Sequence, residues 1–202
     1  MQPRSSPVAS PLPRVRLVRK GFVVRKGDVV VDASSSITLV EASGKKIMVD
    51  TGASDQCDKL LFDLKSMMLQ PKDIDMVVNT HLHVDHCGCS DLFENARVYA
   101  HELEEPPVGH VRISGAVTLM PGIEIVPTPG HTKGSVSVFV SSDKRYAICG
   151  DSIPTKANFE THVPPFVAFD KDLAMKSMDM ILGWAEMVVP GHDEPFPVVR
   201  KK

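Results

Sequence analysis

Aromatic side chains are scarce in this 202-residue chain, at 5% of positions with a single Trp. So few rings argue against a surface built to stack nucleic-acid bases. Cysteine is scarcer still. Cys57, Cys87, Cys89 and Cys149 are too few for a disulfide scaffold, which agrees with a reducing cytosol. No apolar run approaches the ~18 residues of a membrane span, and Met1 to Arg19 carries Pro and Arg where a secretory leader has its apolar stretch. A cytoplasmic protein without membrane association is expected. What is present is an ordinary globular composition, 43% hydrophobic and 24% charged. The length is that of one domain and suffices to bury a core without staples.

The net charge of −2 conceals an uneven distribution. Ten of the 23 basic residues lie in 1–27 and 200–202, which hold no acid. That leaves 13 basic against all 25 acidic residues between 28 and 199, an acidic body with basic ends. Such ends suit an RNA- or anion-binding arm, or are solvated termini with a polar first strand; the second reading is the simpler. Residues 1–14, rich in Pro, Ser and Arg, read as a loose arm, and 15–202 as a single domain.

Along that domain, β-branched runs alternate with helical spacing. Strands are predicted at 15–18, 22–25, 29–32, 37–41, 46–50, 75–79, 97–100, 117–119, 123–127, 135–140, 145–149 and 186–189. Leu60, Leu61, Leu64, Met67 and Met68 predict a helix over 55–69, and a short helix is expected near 88–94. Asp170 or Asp172 caps a helix over 171–183 with Ala174, Met178, Ile181 and Leu182 on one face. The ten Met residues read as core filler. Two halves of strands, helix and strand, with no linker between them, suggest two packed sheets with helices outside.

Three of the eight histidines fall within six residues, His81-Leu82-His83-Val84-Asp85-His86, directly after the apolar run Met76–Val78 and Asn79-Thr80. In extended chain, residues two apart point the same way, so His81 and His83 can converge on one point. Asp85 and His86, at the turn into Cys87-Gly88, can address a second. Imidazoles with a carboxylate suit Zn²⁺, and the same donors suit Fe or Mn. Cys87 and Cys89 beside them read as loop packing. Four more titratable residues end apolar strands: Asp50 after Ile47–Val49, His131 after Pro129-Gly130, Asp151 after Cys149-Gly150, and His192 after Pro190-Gly191. Strand ends are where loops carry ligands on a rigid base.

Asp50 in Val-Asp-Thr-Gly, the His81/His83/Asp85/His86 cluster, His131 in Pro-Gly-His, Asp151 in Gly-Asp and His192 in Pro-Gly-His resemble, in order, the five motifs of the metallo-β-lactamase superfamily. The resemblance covers roughly residues 20–196. It implies an α/β fold, the αβ/βα sandwich of two mixed sheets with helices on the outer faces. It also implies a cleft holding two metals, zinc with Fe or Mn as alternatives. His81, His83 and His131 would bind the first metal, Asp85, His86 and His192 the second, and Asp151 would bridge them. Asp50 would order the ligand loop from behind. The resemblance further implies hydrolysis by a bridging hydroxide, with Asp85 as proton carrier to the leaving group.

Within the family, Asp151 and the lack of an apolar leader pattern at Met1–Arg19 argue against an exported β-lactamase, and no added helical region or inserted domain is expected. The chain resembles the small single-domain metallo-β-lactamase domain-containing proteins. Three activities remain: hydrolysis of a small ester, lactone or thioester; RNA phosphodiester cleavage; and persulfide oxidation at one iron held by His83 (or His81), His131 and Asp151. A small-molecule substrate leads, RNA is the alternative, and a homodimer stays open. Segment 152–170 offers Lys156, Phe159, His162 and Phe166 as substrate contacts, or simply plugs a sheet edge. His101 and Glu102 read as support or surface, and His110 as solvated.

Overall fold

The computed structural model describes residues 11–199; residues 1–10 of the expected 1–14 arm and the basic residues 200–202 lie outside them, and Arg14, expected in the arm, already opens the first strand. One sheet runs in the order β1 (Arg14–Arg19), β4 (Ile37–Ala42), β5 (Lys45–Val49), β6 (Met76–Val78), β7 (Arg97–His101), β8 (Val111–Ile113). The other runs β14 (Phe196–Pro197), β13 (Met187–Val189), β12 (Arg145–Ile148), β11 (Val136–Ser141), β10 (Ile123–Pro127), β9 (Val117–Met120). Both are mixed. In the first, β5 to β8 are parallel and the remaining pairs antiparallel. In the second, β12 and β13 alone are parallel neighbours.

Alternation along these strands makes three apolar layers. Val40, Ile47, Val49 and Val78 of the first sheet meet Ile125, Val138, Val140 and Ile148 of the second to form the central core. The opposite face of the first sheet, Leu39, Met48 and Val77, packs on Leu60 and Leu64 of α1 (Cys57–Ser66). The opposite face of the second, Phe139, Ala147 and Val188, packs on Met178 and Ile181 of α4 (Lys171–Trp184). Helix, sheet, sheet, helix is the expected four-layer sandwich. Asp170 caps α4 by accepting from Leu173 N at 2.9 Å, which settles the choice between Asp170 and Asp172.

Outside the sandwich, β2 (Phe22–Lys26) and β3 (Val29–Ser34) form a separate hairpin. Two further short helices are α2 (Val84–Cys87) and α3 (Lys156–Thr161). The helix expected near 88–94 is instead the single turn of α2 upstream, followed by a 3₁₀ turn at Ser90–Leu92. The chain leaves α1 at Met67 and turns at Met68 (φ 59°), so the apolar spacing through Met67 and Met68 overstates that helix. Met48 and Met178 are fully buried, but Met68 is 92% exposed and fills no core. β8, α3 and β14 carry too little periodicity to announce themselves.

Cysteine usage needs a correction. Cys57, which opens α1, and Cys89, just beyond α2, are joined by a disulfide. Sequence cannot reveal the pairing, because only the fold lays the start of α1 against the turn at 88–89. Cys89 is therefore bonded rather than simply packed, and cysteine usage no longer argues for a reducing compartment. Among the described residues, no helix is long and apolar enough to cross a membrane. The bond closes a loop of 32 residues. Replacing both partners by Ser is expected to lower the unfolding free energy by about 3–4 kcal/mol, measured by urea titration without reductant. An unchanged midpoint would show that the bond does not form in solution.

Candidate metal centre

Five strands point their carboxyl ends at one place. β5 delivers Asp50, β6 delivers His81 through Asn79-Thr80, β10 leads to His131, β12 to Asp151 and β13 to His192. Beyond His81, His83 stands at the N-terminal boundary of α2 with its side chain free of any capping bond, and the single turn of that helix presents Asp85 and His86. The ligand loop is tied down on both sides. Ser35 N donates to Asp85 O at 2.8 Å, and Thr51 N donates to His86 O at 2.7 Å.

Two glycines permit the close approaches. Gly130 adopts φ 136°, and a Cβ there would lie 2.3 Å from the backbone of Ala174, so α4 leaves room for nothing larger before His131. A Cβ on Gly191 would lie 2.1 Å from Asp151 Oδ1. The glycine of that Pro-Gly-His motif is what lets the carboxylate reach the next strand end.

The donors converge in two sets. His83 Nδ1 lies 3.0 Å from both His81 Nε2 and His131 Nε2, and one proton cannot serve both contacts. His86 Nε2 lies 3.3 Å from His192 Nε2, with Asp85 Oδ2 at 3.9 Å and 3.5 Å from the two. Asp151 joins the sets. Its Oδ2 is 3.5 Å from His131 Nε2, and its Oδ1 is 3.1 Å from His192 Nε2 and 3.5 Å from His86 Nε2. Despite these distances, Oδ1 is buried without an aligned hydrogen-bond donor. Such an atom is costly unless a cation satisfies it.

The other side of each ring explains which nitrogen faces inward. His86 Nδ1 donates to Asp50 Oδ2 at 2.8 Å, His131 Nδ1 to Val167 O at 2.7 Å, and His192 Nδ1 to Ser34 O at 3.0 Å. Asp50 also accepts from Thr80 N at 2.7 Å and Thr80 Oγ1 at 2.8 Å. With its proton given to Asp50, Thr80 Oγ1 is left to accept from His81 Nδ1 at 3.2 Å. Four rings thus have their Nδ1 protons fixed outward and their Nε2 atoms facing the centre, the arrangement of metal-binding imidazoles once any second proton on His86 and His192 is displaced. His81–His83–His131, His81–His86–Asp151 and Asp85–His86–His192 each bring their donor atoms within 4.8 Å of one another. The donor set fits divalent cations.

Electrostatics agrees. Burial, then the charges of His192 and His86, act oppositely on Asp151; the histidines win and hold its pKa well below the carboxylate range. Burial opposes charge on His86 too, but Asp50 and Asp151 hold its pKa well above the imidazole range. His192 is raised against its burial by Asp151. Burial and the charge on His86 depress His81 well below the imidazole range, and burial and His131 depress His83. Cys87 is pushed up to about 11 by burial and the Asp50 charge, so it is a thiol that donates to Leu82 O.

Of the four side chains expected at the substrate, the structure places Phe166 in the cavity over the site and the other three outside it. Lys156 pairs with Glu160 at 3.2 Å on α3. Phe159 stacks on Phe196 with ring centres 4.9 Å apart, and His162 faces Asp179 at 3.4 Å. The cavity measures about 190 Å³ and is walled by Val23, Val30, Pro154, Pro165, Phe166 and Val167, with Arg25 alongside. The hairpin that supplies Val23, Arg25 and Val30 read from sequence as two ordinary strands, 22–25 and 29–32, and nothing in it signals that it covers the site. Glu104 was missed as well. It accepts from Leu82 N at 3.0 Å, Thr132 Oγ1 at 2.6 Å and Gly134 N at 2.9 Å, clamping the His81–His83 loop to the His131 loop. His101 is buried and caps the turn leading to Glu104 by accepting from Leu103 N, Glu102 is exposed, and His110 is half-buried rather than solvated.

The family profile described as "Metallo-beta-lactamase superfamily" matches residues 30–112. A probable metallo-hydrolase of Methanocaldococcus jannaschii is 35% identical over 179 residues, covering 89% of this chain and 86% of that protein. The chain belongs to the metallo-β-lactamase superfamily. An N-acyl homoserine lactonase of a Bacillus species is 29% identical over 157 residues, 67% of this chain and 62% of the lactonase. The fold matches a mutant of AiiA from B. thuringiensis with N-decanoyl-L-homoserine bound at its active site, at a TM-score of 0.74 and 21% identity over 92% of this chain and 94% of that one. With metallo-hydrolase relatives and a donor cluster that fits a metal, this superfamily member is an enzyme of the hydrolase class.

Two outcomes follow from the geometry. Asp50→Asn turns an amide donor toward His86 Nδ1 and Thr80 Oγ1, and is expected to weaken metal affinity about 10- to 100-fold in chelator competition. Unchanged affinity would show that Asp50 does not set the ligand tautomers. Metal uptake should also release protons. The raised His86 and His192 retain protons above the ordinary imidazole pKa of about 6.5, and a cation must displace them, so affinity rises with pH across that range. Calorimetry in buffers of different ionisation heat reads this, and uptake without proton release would contradict it.

Proposed function

We propose that this chain is a di-zinc hydrolase of a small ester, lactone or thioester. In this reading His81, His83 and His131 hold one zinc and Asp85, His86 and His192 the other. The observation that carries it is Asp151: one carboxylate oxygen faces each donor set, and the buried one lacks any hydrogen bond. The relation to lactonases supports the substrate class.

When bound, the cations would supply Lewis acidity, making an attacking water acidic and stabilising negative charge on the carbonyl oxygen. The chain's own residues do the rest. Asp50 and Thr80 keep the ligand rings oriented, so no reorganisation is needed as charge develops. Val23, Val30, Pro154, Pro165, Phe166 and Val167 offer apolar contacts to the acyl part. Asp85 lines the cavity and retains 21% side-chain exposure. It can therefore take up a proton at Oδ and pass it to the leaving oxygen or sulfur.

The basic first strand does not favour the RNA reading. Arg16 pairs with Glu41 at 3.4 Å, Arg19 with Asp63 at 2.6 Å, and Lys20 faces Asp193 and Glu194. These side chains are engaged with the protein's own acids.

The zinc-loaded chain is expected to hydrolyse a para-nitrophenyl ester or a homoserine lactone, to lose activity with a chelator, and to regain it with zinc. Asp151→Ala should reduce kcat/KM by at least about 100-fold, a loss of roughly 3 kcal/mol in transition-state stabilisation. One iron per chain with no hydrolysis would reject this reading in favour of iron chemistry. Undiminished turnover in Asp151→Ala would show the site to be misassigned.

A further inference from the structure

Among the described residues that line the cavity, Arg25 is the single Lys or Arg. It stands opposite Val30 across the hairpin, and Val23 stands opposite Ala33; both pairs face the cavity. The register shift between Val24 and Arg25 makes this possible. It leaves Val31 over as an extra residue in the second strand, so that Val30 comes round to the same face as Ala33. The guanidinium lies over the ring of Phe166, 4.9 Å from its centre, which holds the side chain in place without using its N–H groups.

Among the described residues, Arg25 forms no ion pair, whereas Arg16, Arg19 and Lys20 do; Arg14 and Lys26 share its unpaired state but do not line the cavity. The carboxylates in the cavity wall, Asp85 and Asp151, are directed at the histidines instead. An unpaired guanidinium at the mouth of a mostly apolar cavity therefore presents its donors to whatever enters.

We propose that Arg25 anchors a carboxylate, and that the substrate is a small acyl compound carrying one in addition to the bond that is cleaved. This rests on the hydrolase reading for the reaction, but not for the anion site itself. A planar fork of N–H donors matches a carboxylate with two parallel hydrogen bonds. One positive charge balances one carboxylate. A phosphate dianion would call for a second cationic side chain, and the wall offers none beyond the histidines of the metal centre. The cavity of about 190 Å³ has room for a connecting chain of a few carbons. The apolar side chains between the metal centre and Arg25 suit that spacer.

The test uses the full-length zinc-loaded chain and two esters that differ by a terminal carboxylate, mono-para-nitrophenyl glutarate and para-nitrophenyl butyrate. The parent is expected to favour the glutarate ester. Arg25→Ala should lower the glutarate-to-butyrate ratio of kcat/KM by about 10- to 100-fold, chiefly through KM, and Arg25→Lys should recover part of it. Calorimetry with free glutarate and butyrate gives a second readout that needs no turnover, with glutarate binding more tightly and its advantage lost in Arg25→Ala. If no ester is cleaved but this binding preference holds, the hydrolase reading fails and the carboxylate site stands. A glutarate preference that survives Arg25→Ala, or one that is absent from the parent in both measurements, overturns the proposal.

Discussion

A buried carboxylate oxygen without a hydrogen-bond donor, Asp151 Oδ1, is the constraint on which the rest of the centre depends. It sits at the end of a central strand, next to a glycine that leaves it space, and faces rings whose protons are fixed on the far side. Left to itself, such an atom would destabilise the fold by roughly 1–3 kcal/mol or more. Protons on His86 and His192 or a shared cation can each satisfy it, and these compete for the same lone pairs. The geometry favours the cation because Oδ2 faces the other donor set at a similar distance. On the proposed two-metal reading, this carboxylate would face both ions.

The orientation of that centre is set from behind by Asp50. One carboxylate accepts a backbone N–H, a hydroxyl and an imidazole N–H, and through Thr80 it also governs His81. The residue takes a positive φ of 55°, which an Asp tolerates better than most side chains. Glu104 performs a comparable task across the two sheets, and Ser34 and Val167 contribute only carbonyl oxygens. Rigid strands fix the ligands, while loops and the hairpin shape the space above them. This division leaves substrate preference free to change without disturbing the metal centre.

What could be read from the sequence follows the range of the interactions. His81, His83, Asp85 and His86 announce themselves because they are close in the chain, and Asp50, His131, Asp151 and His192 because each ends an apolar run. The two sheets with outer helices were legible from the same runs. Arg25's place at the cavity and Glu104's clamp were not, since they depend on a hairpin folding over the cleft and a turn reaching two distant loops. The Cys57–Cys89 bond was hidden for the same reason. Lys156, Phe159 and His162 looked like substrate contacts because they follow Asp151 closely. The turn of α3 instead carries them toward Glu160, Phe196 and Asp179, outside the cavity. Proximity along the chain does not survive a helical turn.

Zinc stoichiometry tests the central claim most directly. Equilibrium dialysis of the metal-free chain against zinc, read by elemental analysis, should saturate at two ions per chain, and at one when Asp85 and His192 are both replaced by Ala. Saturation of the parent at a single ion, or identical stoichiometry in the double variant, would contradict the account.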